Sequence, residues 1–208
     1  NLARQTVEYL TNTGPDNITR PMLLEGWQPS PDLKTWTLKL RRDVIWRSGR
    51  KFTAEDVVWN LKSVLDPRTG SSVLGLMKGY MITDVPGEEK DSAGNPRMVS
   101  RLWDANAIEK LDDFTVRLNL KAPQLAVPEH LFHYPACIID PEENGKFAVG
   151  MNGTGPFELV EYEVTKRAVL RANRRYWGTG PFVDEVVFVD LGDEPGPEIA
   201  AMASHQLH

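Results

Sequence analysis

Cysteine, long apolar runs and excess positive charge are all scarce in this sequence, and each shortage excludes a class of protein. Cys137 is the one cysteine among 208 residues, which excludes an internal disulfide framework and a cysteine-based zinc cluster. No apolar run approaches the roughly 18 to 20 residues that span a bilayer. Acidic residues outnumber basic ones by 29 to 24. We therefore predict neither nucleic-acid binding nor membrane insertion.

The composition indicates a soluble globular protein, with 41% hydrophobic and 25% charged residues. The ends suggest a piece of a longer chain. The first residue is Asn1 rather than methionine, with no signal-sequence pattern before it. The helical pattern over residues 197–208 places Ile199, Met202 and Ala203 on one face and has no glycine stop. The missing signal sequence therefore does not indicate the compartment.

Hydrophobic periodicity predicts strands and one well-marked helix in the first third of the chain. Apolar and polar residues alternate over 36–40, as in a half-buried strand, and 44–46 resembles a second short strand. Residues 53–56 have the spacing of a capping box. A helical apolar pattern follows over 57–65 and stops at Asp66 and Pro67.

The remaining segments add strands and short helices. Residues 83–100 are polar and rich in glycine and proline, which predicts a surface excursion. The other predicted elements are a hairpin of 107–111 and 114–120, a short helix at 126–132, a second hairpin of 157–162 and 168–171, and a buried strand at 186–189. Together these patterns predict an α+β protein with mixed or antiparallel sheets and flanking helices.

Candidate chemical groups are few, and each has a simpler structural interpretation. His130 and His133 have the spacing of two metal ligands on one helix face, but no third ligand lies on that face. Cys137 lies in an apolar run and is predicted to be a small buried hydrophobe. Carboxylate pairs at 88–89, 112–113 and 142–143 have polar, turn-like neighbours, which argues against the raised pKa of a general acid.

Glycine-rich segments and tryptophans complete the candidates. Gly-Thr-Gly-Pro-Phe occurs at 153–157 and 178–182 without the lysine of a phosphate-binding loop, so both copies are predicted to be turns. The six tryptophans could line a ligand site. Trp36, Trp46 and Trp59 are predicted to be core, because they fall on the apolar side of their elements.

A series of motifs occurs in order along the chain: Leu-Glu-Gly-Trp at 24–27, Pro-Asp-Leu-Lys-Thr-Trp-Thr-Leu-Lys-Leu-Arg at 31–41, Val-Ile-Trp-Arg-Ser-Gly at 44–49, Phe-Thr-Ala-Glu-Asp-Val-Val at 52–58, Leu-Asp-Pro at 65–67, Asp-Phe-Thr-Val at 113–116, Gly-Thr-Gly-Pro-Phe at 153–157 and Asn-Arg-Arg-Tyr-Trp-Gly at 173–178. This series resembles the family 5 extracellular solute-binding proteins, which are the dipeptide- and oligopeptide-binding proteins of bacterial ABC importers. Leu33 departs from the pattern because a turn glycine is usual there, so that turn is expected to differ. Residues 83–100 resemble an insertion.

The resemblance implies part of lobe I of a two-lobed periplasmic binding protein fold of type II-like topology. Residues 1–150 would be mainly the small subdomain of that lobe. Residues 151–208 would begin the return into its large subdomain. The second lobe would lie outside this sequence, so the ligand cleft would have one wall here.

The implied function is capture of peptides outside the cytoplasmic membrane and delivery to the membrane permease of an ABC importer. The location would be periplasmic, or lipid-anchored outside the cytoplasmic membrane, and the protein is expected to be monomeric, without catalysis, cofactor or metal. By resemblance, the cleft-facing segment follows Asp66 and Pro67. Its candidate ligand-binding residues are Leu76, Met77 and Tyr80.

Other hypotheses remain open. A glycosidase-like enzyme would need one carboxylate pair in a pocket. A stand-alone interaction module would need the natural chain to end near His208. Within the family, the cargo could also be an oligosaccharide, an opine or a nickel complex. A tyrosine such as Tyr80 could equally be packing the subdomain.

Overall fold

The computed structural model describes residues 2–205, and over these residues short helices pack on antiparallel strands. The helices are α1 (Ala3–Thr6), α2 (Ala54–Val64), α3 (Ser72–Met81), α4 (Val127–His130) and α5 (Pro195–Ala203). The strands are β1 (Thr11–Thr13), β2 (Thr19–Pro21), β3 (Leu24–Pro29), β4 (Thr35–Leu40), β5 (Ile82–Lys90), β6 (Pro96–Leu102), β7 (Ile108–Asp112), β8 (Thr115–Asn119), β9 (Phe157–Glu163), β10 (Arg167–Ala172) and β11 (Glu185–Val189). Single 3-10 turns lie at Pro67–Thr69, Tyr134–Ala136 and Pro141–Glu143.

The strands form four separate antiparallel sheets. The central sheet has the order β3-β4-β8-β7, and a second sheet has the order β11-β10-β9. The ribbons β1-β2 and β5-β6 have two strands each. The predicted α+β class with antiparallel sheets is confirmed.

The central sheet buries the apolar side of each strand, as alternation requires. In β4, Trp36, Leu38 and Leu40 are at most 2% exposed, whereas Lys39 faces solvent. Leu38 pairs with Val116 of β8, which is also fully buried. Helices α2 and α3 contribute further buried side chains to the same core, so this layer forms the larger of two hydrophobic clusters.

Helix α2 begins and ends where the sequence predicts. The carboxylate of Asp56 accepts a hydrogen bond of 2.8 Å from the backbone N–H of Thr53, which is the reciprocal half of the predicted capping box. The helix ends at Val64, before Asp66 and Pro67. Local capping chemistry therefore sets the residue at which this helix begins, and its buried side chains pack it into the core.

The two predicted hairpins and the short helix are also present. Strands β7 and β8 turn at Asp112, whose carboxylate accepts from the backbone N–H of Phe114. Strands β9 and β10 form a small second core from Phe157, Leu159, Ala168 and Leu170. Helix α4 lies inside the predicted range 126–132.

Two strand predictions are wrong in part. Residues 44–46 form only an isolated bridge between Ile45 and Lys51, because the chain turns at once through Gly49, whose φ is 91°. Strand β11 exists but is not buried, since Val187, Phe188 and Val189 are 38–48% exposed. It is an edge strand of its sheet, and an apolar run alone does not show whether another element covers that strand.

Three further predictions concern surface segments. Residues 83–100 are exposed as predicted, and most of them form the two-stranded hairpin of β5 and β6. Leu33 has φ of 56°, the left-handed conformation that glycine favours, so the expected change of turn is not seen in its backbone angle. Helix α5 confirms the start of the predicted C-terminal helix, but it ends at Ala203, and Ser204 and His205 form a turn in which His205 has φ of 56°. The prediction that the helix continues without a stop is therefore wrong at these two residues, and residues 206–208 lie outside the described residues.

Candidate functional site

Helix α3 carries the three residues predicted to bind a ligand, and it is amphipathic. Ser71 caps its first turn by accepting from the backbone N–H of Val73. One face packs into the core, and the opposite face exposes its side chains to solvent. The exposed face consists of Ser72, Gly75, Leu76, Lys78 and Gly79.

Tyr80 and Met77 lie on the buried face of α3. They are 3% and 2% exposed, and the Tyr80 hydroxyl lies 2.7 Å from Nδ1 of His130. The two rings stack with centroids 5.7 Å apart. Burial raises the pKa of the Tyr80 phenol, so it stays protonated. These contacts support the packing interpretation of Tyr80, whereas a direct ligand contact by Tyr80 or Met77 stays a prediction.

Leu76 is the candidate with the most exposed side chain, at 37%. It lies one helical turn after Ser72, so both residues are on the same face of α3. The Ser72 hydroxyl lies 3.2 Å from Nε2 of His133, which follows α4. The structure therefore places Leu76 on the same helix face as Ser72, which contacts a residue 61 positions later.

We use the name Tyr134 surface for the residues Arg4, Ser72, His133 and Tyr134, which line the two grooves described below. Tyr134 is 66% exposed, and its ring centroid lies 5.3 Å from that of His133. Tyrosine is enriched at interfaces because its ring is apolar and its hydroxyl is polar. Sequence reasoning missed Tyr134, because its neighbours come from distant parts of the chain.

Two grooves meet at Tyr134. One has a volume of about 480 Å³ and runs between Arg4 and Glu129. The other has a volume of about 420 Å³ and runs between Trp59 and Ser72. Trp59 is half-buried rather than fully core as predicted, whereas Trp36 and Trp46 are buried as predicted. The two grooves make the surface around Tyr134 shallowly concave, and aromatic side chains line both of them.

The first groove contains charges of both signs. The Arg4 guanidinium lies 5.4 Å from the ring centroid of Tyr9 and 5.0 Å from that of Phe132, a cation–π arrangement that fixes its position. Within residues 2–205 the side chains of Arg4 and Glu129 form no ion pair. The groove therefore offers a cation and an anion to a ligand that carries both charges.

The backbone beneath Tyr134 is held from the N-terminal segment. The Tyr9 hydroxyl donates a hydrogen bond of 3.0 Å to the carbonyl oxygen of Tyr134. Burial raises the pKa of Tyr9, which keeps this donor protonated. The backbone that carries the exposed Tyr134 ring is therefore held by a hydrogen bond from the N-terminal segment.

The two histidines have different partners. His130 meets Tyr80, and burial lowers its pKa, so it is neutral near pH 7. His133 meets Ser72 instead. Among residues 2–205, no three His, Cys, Asp or Glu side chains gather closely enough to hold a metal.

The other reactive candidates are not arranged for catalysis. Cys137 is partly buried, and burial raises the pKa of its thiol, which disfavours the nucleophilic thiolate. The carboxylate pairs at 88–89, 112–113 and 142–143 are exposed. The pKa of Asp112 is lowered by the hydrogen bond from the Phe114 N–H, opposite to the shift that a general acid needs.

One carboxyl group that the sequence did not single out is buried. Glu8 is fully enclosed, and burial raises its pKa. Its oxygens accept from the Tyr176 hydroxyl at 2.7 Å and from the Trp177 indole N–H at 2.9 Å. A glutamate within the apolar run 7–10 is a signal that could have indicated it. Because both oxygens are occupied by protein donors, we interpret Glu8 as joining residues 2–10 to residues 176–177.

The first Gly-Thr-Gly-Pro-Phe copy has a packing role. The backbone N–H of Gly155 donates to the carbonyl oxygen of Thr6 at 3.0 Å. A Cβ atom on Gly153 would overlap that same oxygen. Glycine is required here by close approach of two backbone segments, in agreement with the predicted turn.

Comparison with known proteins identifies what this arrangement resembles. The sequence model of the bacterial extracellular solute-binding proteins, family 5 middle region, matches residues 19–207. The dipeptide-binding protein DppE of Bacillus subtilis is 30% identical over 177 residues, which cover 82% of this chain and 31% of DppE. The dipeptide-binding protein of Escherichia coli is 28% identical over 186 residues, covering 81% of this chain and 32% of that protein.

A solved structure shares the fold. NikA from Brucella suis in complex with Fe(III)-EDTA matches 99% of this chain with a TM-score of 0.75 and 27% identity, and the match covers 37% of NikA. The chain thus spans about a third of the length of the curated relatives it matches. In the described residues, no helix combines the length and the apolar character needed to cross a membrane.

Proposed function

The chain belongs to family 5 of the bacterial extracellular solute-binding proteins, and from this membership we propose that it forms one wall of the ligand cleft in the substrate-binding component of an ABC importer. The protein would capture peptides outside the cytoplasmic membrane and deliver them to the membrane permease. It would act by binding, as a monomer and without catalysis. The match over residues 19–207 is the observation that carries this proposal.

The two hydrophobic clusters support the proposed division of the chain. Residues 1–150 would be mainly the small subdomain of lobe I, and they contain the larger cluster around Trp36 and Trp46. Residues 151–208 would begin the return into the large subdomain, and they contain the small cluster around Leu159 and Leu170. A wall made of these units would bury a ligand only when a second lobe closes on it.

Within this wall, we propose that the Tyr134 surface contacts the ligand. A short peptide carries an amino group, a carboxylate and apolar side chains. The unpaired charges of Arg4 and Glu129 and the exposed groups of Tyr134 and Leu76 complement those features. The candidates Met77 and Tyr80 would then support Leu76 from beneath.

Binding measurements on two proteins test the proposal. The 208-residue chain should bind a mixture of dipeptides and tripeptides weakly or not at all, because affinity needs both walls. The complete gene product should bind them, and Tyr134→Ala should weaken that binding about tenfold, as for an aromatic anchor. The matched control is Tyr162→Ala on β9, because Tyr162 is 52% exposed but outside both grooves. Submicromolar peptide affinity of the 208-residue chain would contradict the one-wall proposal.

Native mass spectrometry of the complete product, with its co-purified ligand, identifies the cargo. Adducts with the mass of a few amino-acid residues would support peptides. A sugar, opine or metal-complex adduct would keep the importer and change its cargo. A catalytic alternative would require loss of hydrolysis when a carboxylate pair such as Asp112 and Asp113 is changed to amides.

A further inference from the structure

The β5–β6 hairpin has a free edge that the proposed ligand site does not use. Its sheet contains two strands, and within residues 2–205 no other strand pairs with β6. The backbone N–H of Trp103 donates to the carbonyl oxygen of Met81 at 3.0 Å, toward the β5 side. Successive residues of a strand direct their backbone groups to opposite edges. The N–H and C=O groups of Ser100 and Leu102 therefore point away from β5.

This free edge forms one wall of a groove. The groove has a volume of about 740 Å³, and its opposite wall is the end of α2 with the turn that follows it. Leu65 and Pro67 line that opposite wall, and Trp103, 37% exposed, lies at the end of the strand wall. An exposed strand edge is the place where an extended peptide adds to a sheet as another strand, and a neighbouring groove gives its side chains room.

The charges in the groove favour an acidic occupant. Lys62 and Arg101 line it from opposite walls, and within the described part of the chain neither side chain forms an ion pair. The nearby carboxylate of Asp66 is occupied by Arg68 at 2.6 Å. Asp104 is the remaining acidic side chain of the lining. The groove therefore has a modest excess of positive charge beside free backbone donors.

The exposure of these charges also indicates what kind of chain would fit. Lys62 and Arg101 are solvent-exposed, and no buried charge in the lining could fix a free amino or carboxyl terminus. An internal segment of a longer polypeptide makes the same backbone hydrogen bonds without such groups. We propose that the outer edge of β6 binds an extended acidic segment of a partner protein by strand addition. This site is separate from the Tyr134 surface and extends beyond the proposed function.

The probe for this proposal is the blocked peptide acetyl-Val-Glu-Val-Glu-Val-amide, titrated against the 208-residue chain. Binding should protect the amides of Ser100 and Leu102 from hydrogen exchange. The same peptide with free termini should bind equally well, whereas a version with Lys for Glu should bind about tenfold more weakly because its charge is reversed.

Two pairs of variants separate the backbone and charge contributions. Ser100→Pro removes an outward N–H at an edge position where proline is tolerated, and it should weaken binding at least about tenfold. Ser100→Ala is its control, because it keeps that N–H while losing the hydroxyl bond to Asp84. Arg101→Glu should weaken binding about tenfold, whereas Arg97→Glu, on the same strand but outside the groove, should not. Thermal melts confirm that each variant is folded.

Several outcomes would overturn the proposal. Equal binding by Ser100→Pro and the parent chain would exclude strand addition at β6. Binding only of the free-terminus peptide would indicate a cargo site. Protection of Ser100 and Leu102 without peptide, rising with protein concentration, would assign the edge to a second copy of this chain.

Discussion

At the scale of single residues, Glu8 shows how a buried charge joins two parts of the chain. Its carboxylate accepts from Tyr176 and Trp177, which lie 168 and 169 positions later. Desolvation outweighs these hydrogen bonds and the attraction of the Arg41 charge, so the pKa of Glu8 is raised from 4.5. The ionised form is therefore less favourable in the folded protein than in the unfolded chain.

This shift predicts how stability depends on pH. A carboxyl group whose pKa is raised in the folded state binds its proton at a higher pH in the folded protein than in the unfolded chain. The parent protein should therefore gain stability relative to Glu8→Gln as the pH falls from the raised pKa toward 4.5. Urea unfolding of both proteins across this range measures the difference. A difference that does not change with pH would contradict a raised Glu8 pKa.

Glu8→Leu separates the hydrogen bonds from the charge. Leucine leaves the Tyr176 hydroxyl and the Trp177 N–H without their acceptor, at a cost of about 1 to 3 kcal/mol for each donor that is buried. Gln keeps an acceptor for at least one of them. Glu8→Leu should therefore be less stable than Glu8→Gln at every pH.

At the scale of elements, the glycines of α3 contrast with those of the 153–157 loop. A Cβ atom on Gly79 would meet no atom within 4 Å, whereas one on Gly153 would overlap the Thr6 backbone. Glycine lowers helix stability because it has more freedom to lose on folding. Its presence on the exposed face of α3 therefore has no packing reason within residues 2–205.

Gly79→Ala should accordingly stabilise the protein by about 1 kcal/mol, the usual difference between the two residues inside a helix. Gly153→Ala is the opposing comparison and should strongly destabilise it. Denaturant midpoints of the two variants show directly whether each substitution raises or lowers the stability of the protein. A neutral or destabilising Gly79→Ala would mean that the space beside α3 is filled in solution.

Local patterns predicted most elements because their determinants lie close together in the sequence. The capping pair Thr53 and Asp56 is three residues apart, and the alternation of β4 and β8 is contained in each strand. The prediction that β11 is buried was wrong, because the burial of a strand depends on elements elsewhere in the chain. The bridge at Ile45 replaced a predicted strand because the turn at Gly49 follows too soon.

The candidate site was less predictable for the same reason. The Tyr9–Tyr134 hydrogen bond spans 125 positions, and the Ser72–His133 contact spans 61. No periodic pattern indicates such contacts. Resemblance led to α3, where Leu76 is exposed beside the Tyr134 surface, but it could not distinguish Leu76 from its buried neighbours Met77 and Tyr80.

At the scale of the whole molecule, Arg50 links the helical layer to the segment that leads into β9. Its guanidinium contacts Asp56 of α2 at 2.8 Å and Asp140 at 2.6 Å. Both carboxylates are at most 3% exposed. The amide of Asn152 donates to Asp140 as well, which connects this pair to the loop before Phe157. One cation therefore bridges two buried carboxylates, one on α2 and one on the segment that leads into β9.

Replacing Arg50 tests whether the stability of α2 is coupled to that of the sheet formed by β9 and β10. Arg50→Met should lower the free energy of unfolding by about 3 kcal/mol or more, because it leaves buried carboxylates without a counter-charge. Since Asp140 holds Asn152, hydrogen exchange should also increase in β9 and β10. Arg20→Met, which breaks the exposed Arg20–Asp16 pair, should change neither measurement. A loss of stability without faster exchange in β9 and β10 would show that Arg50 does not couple α2 to the second sheet.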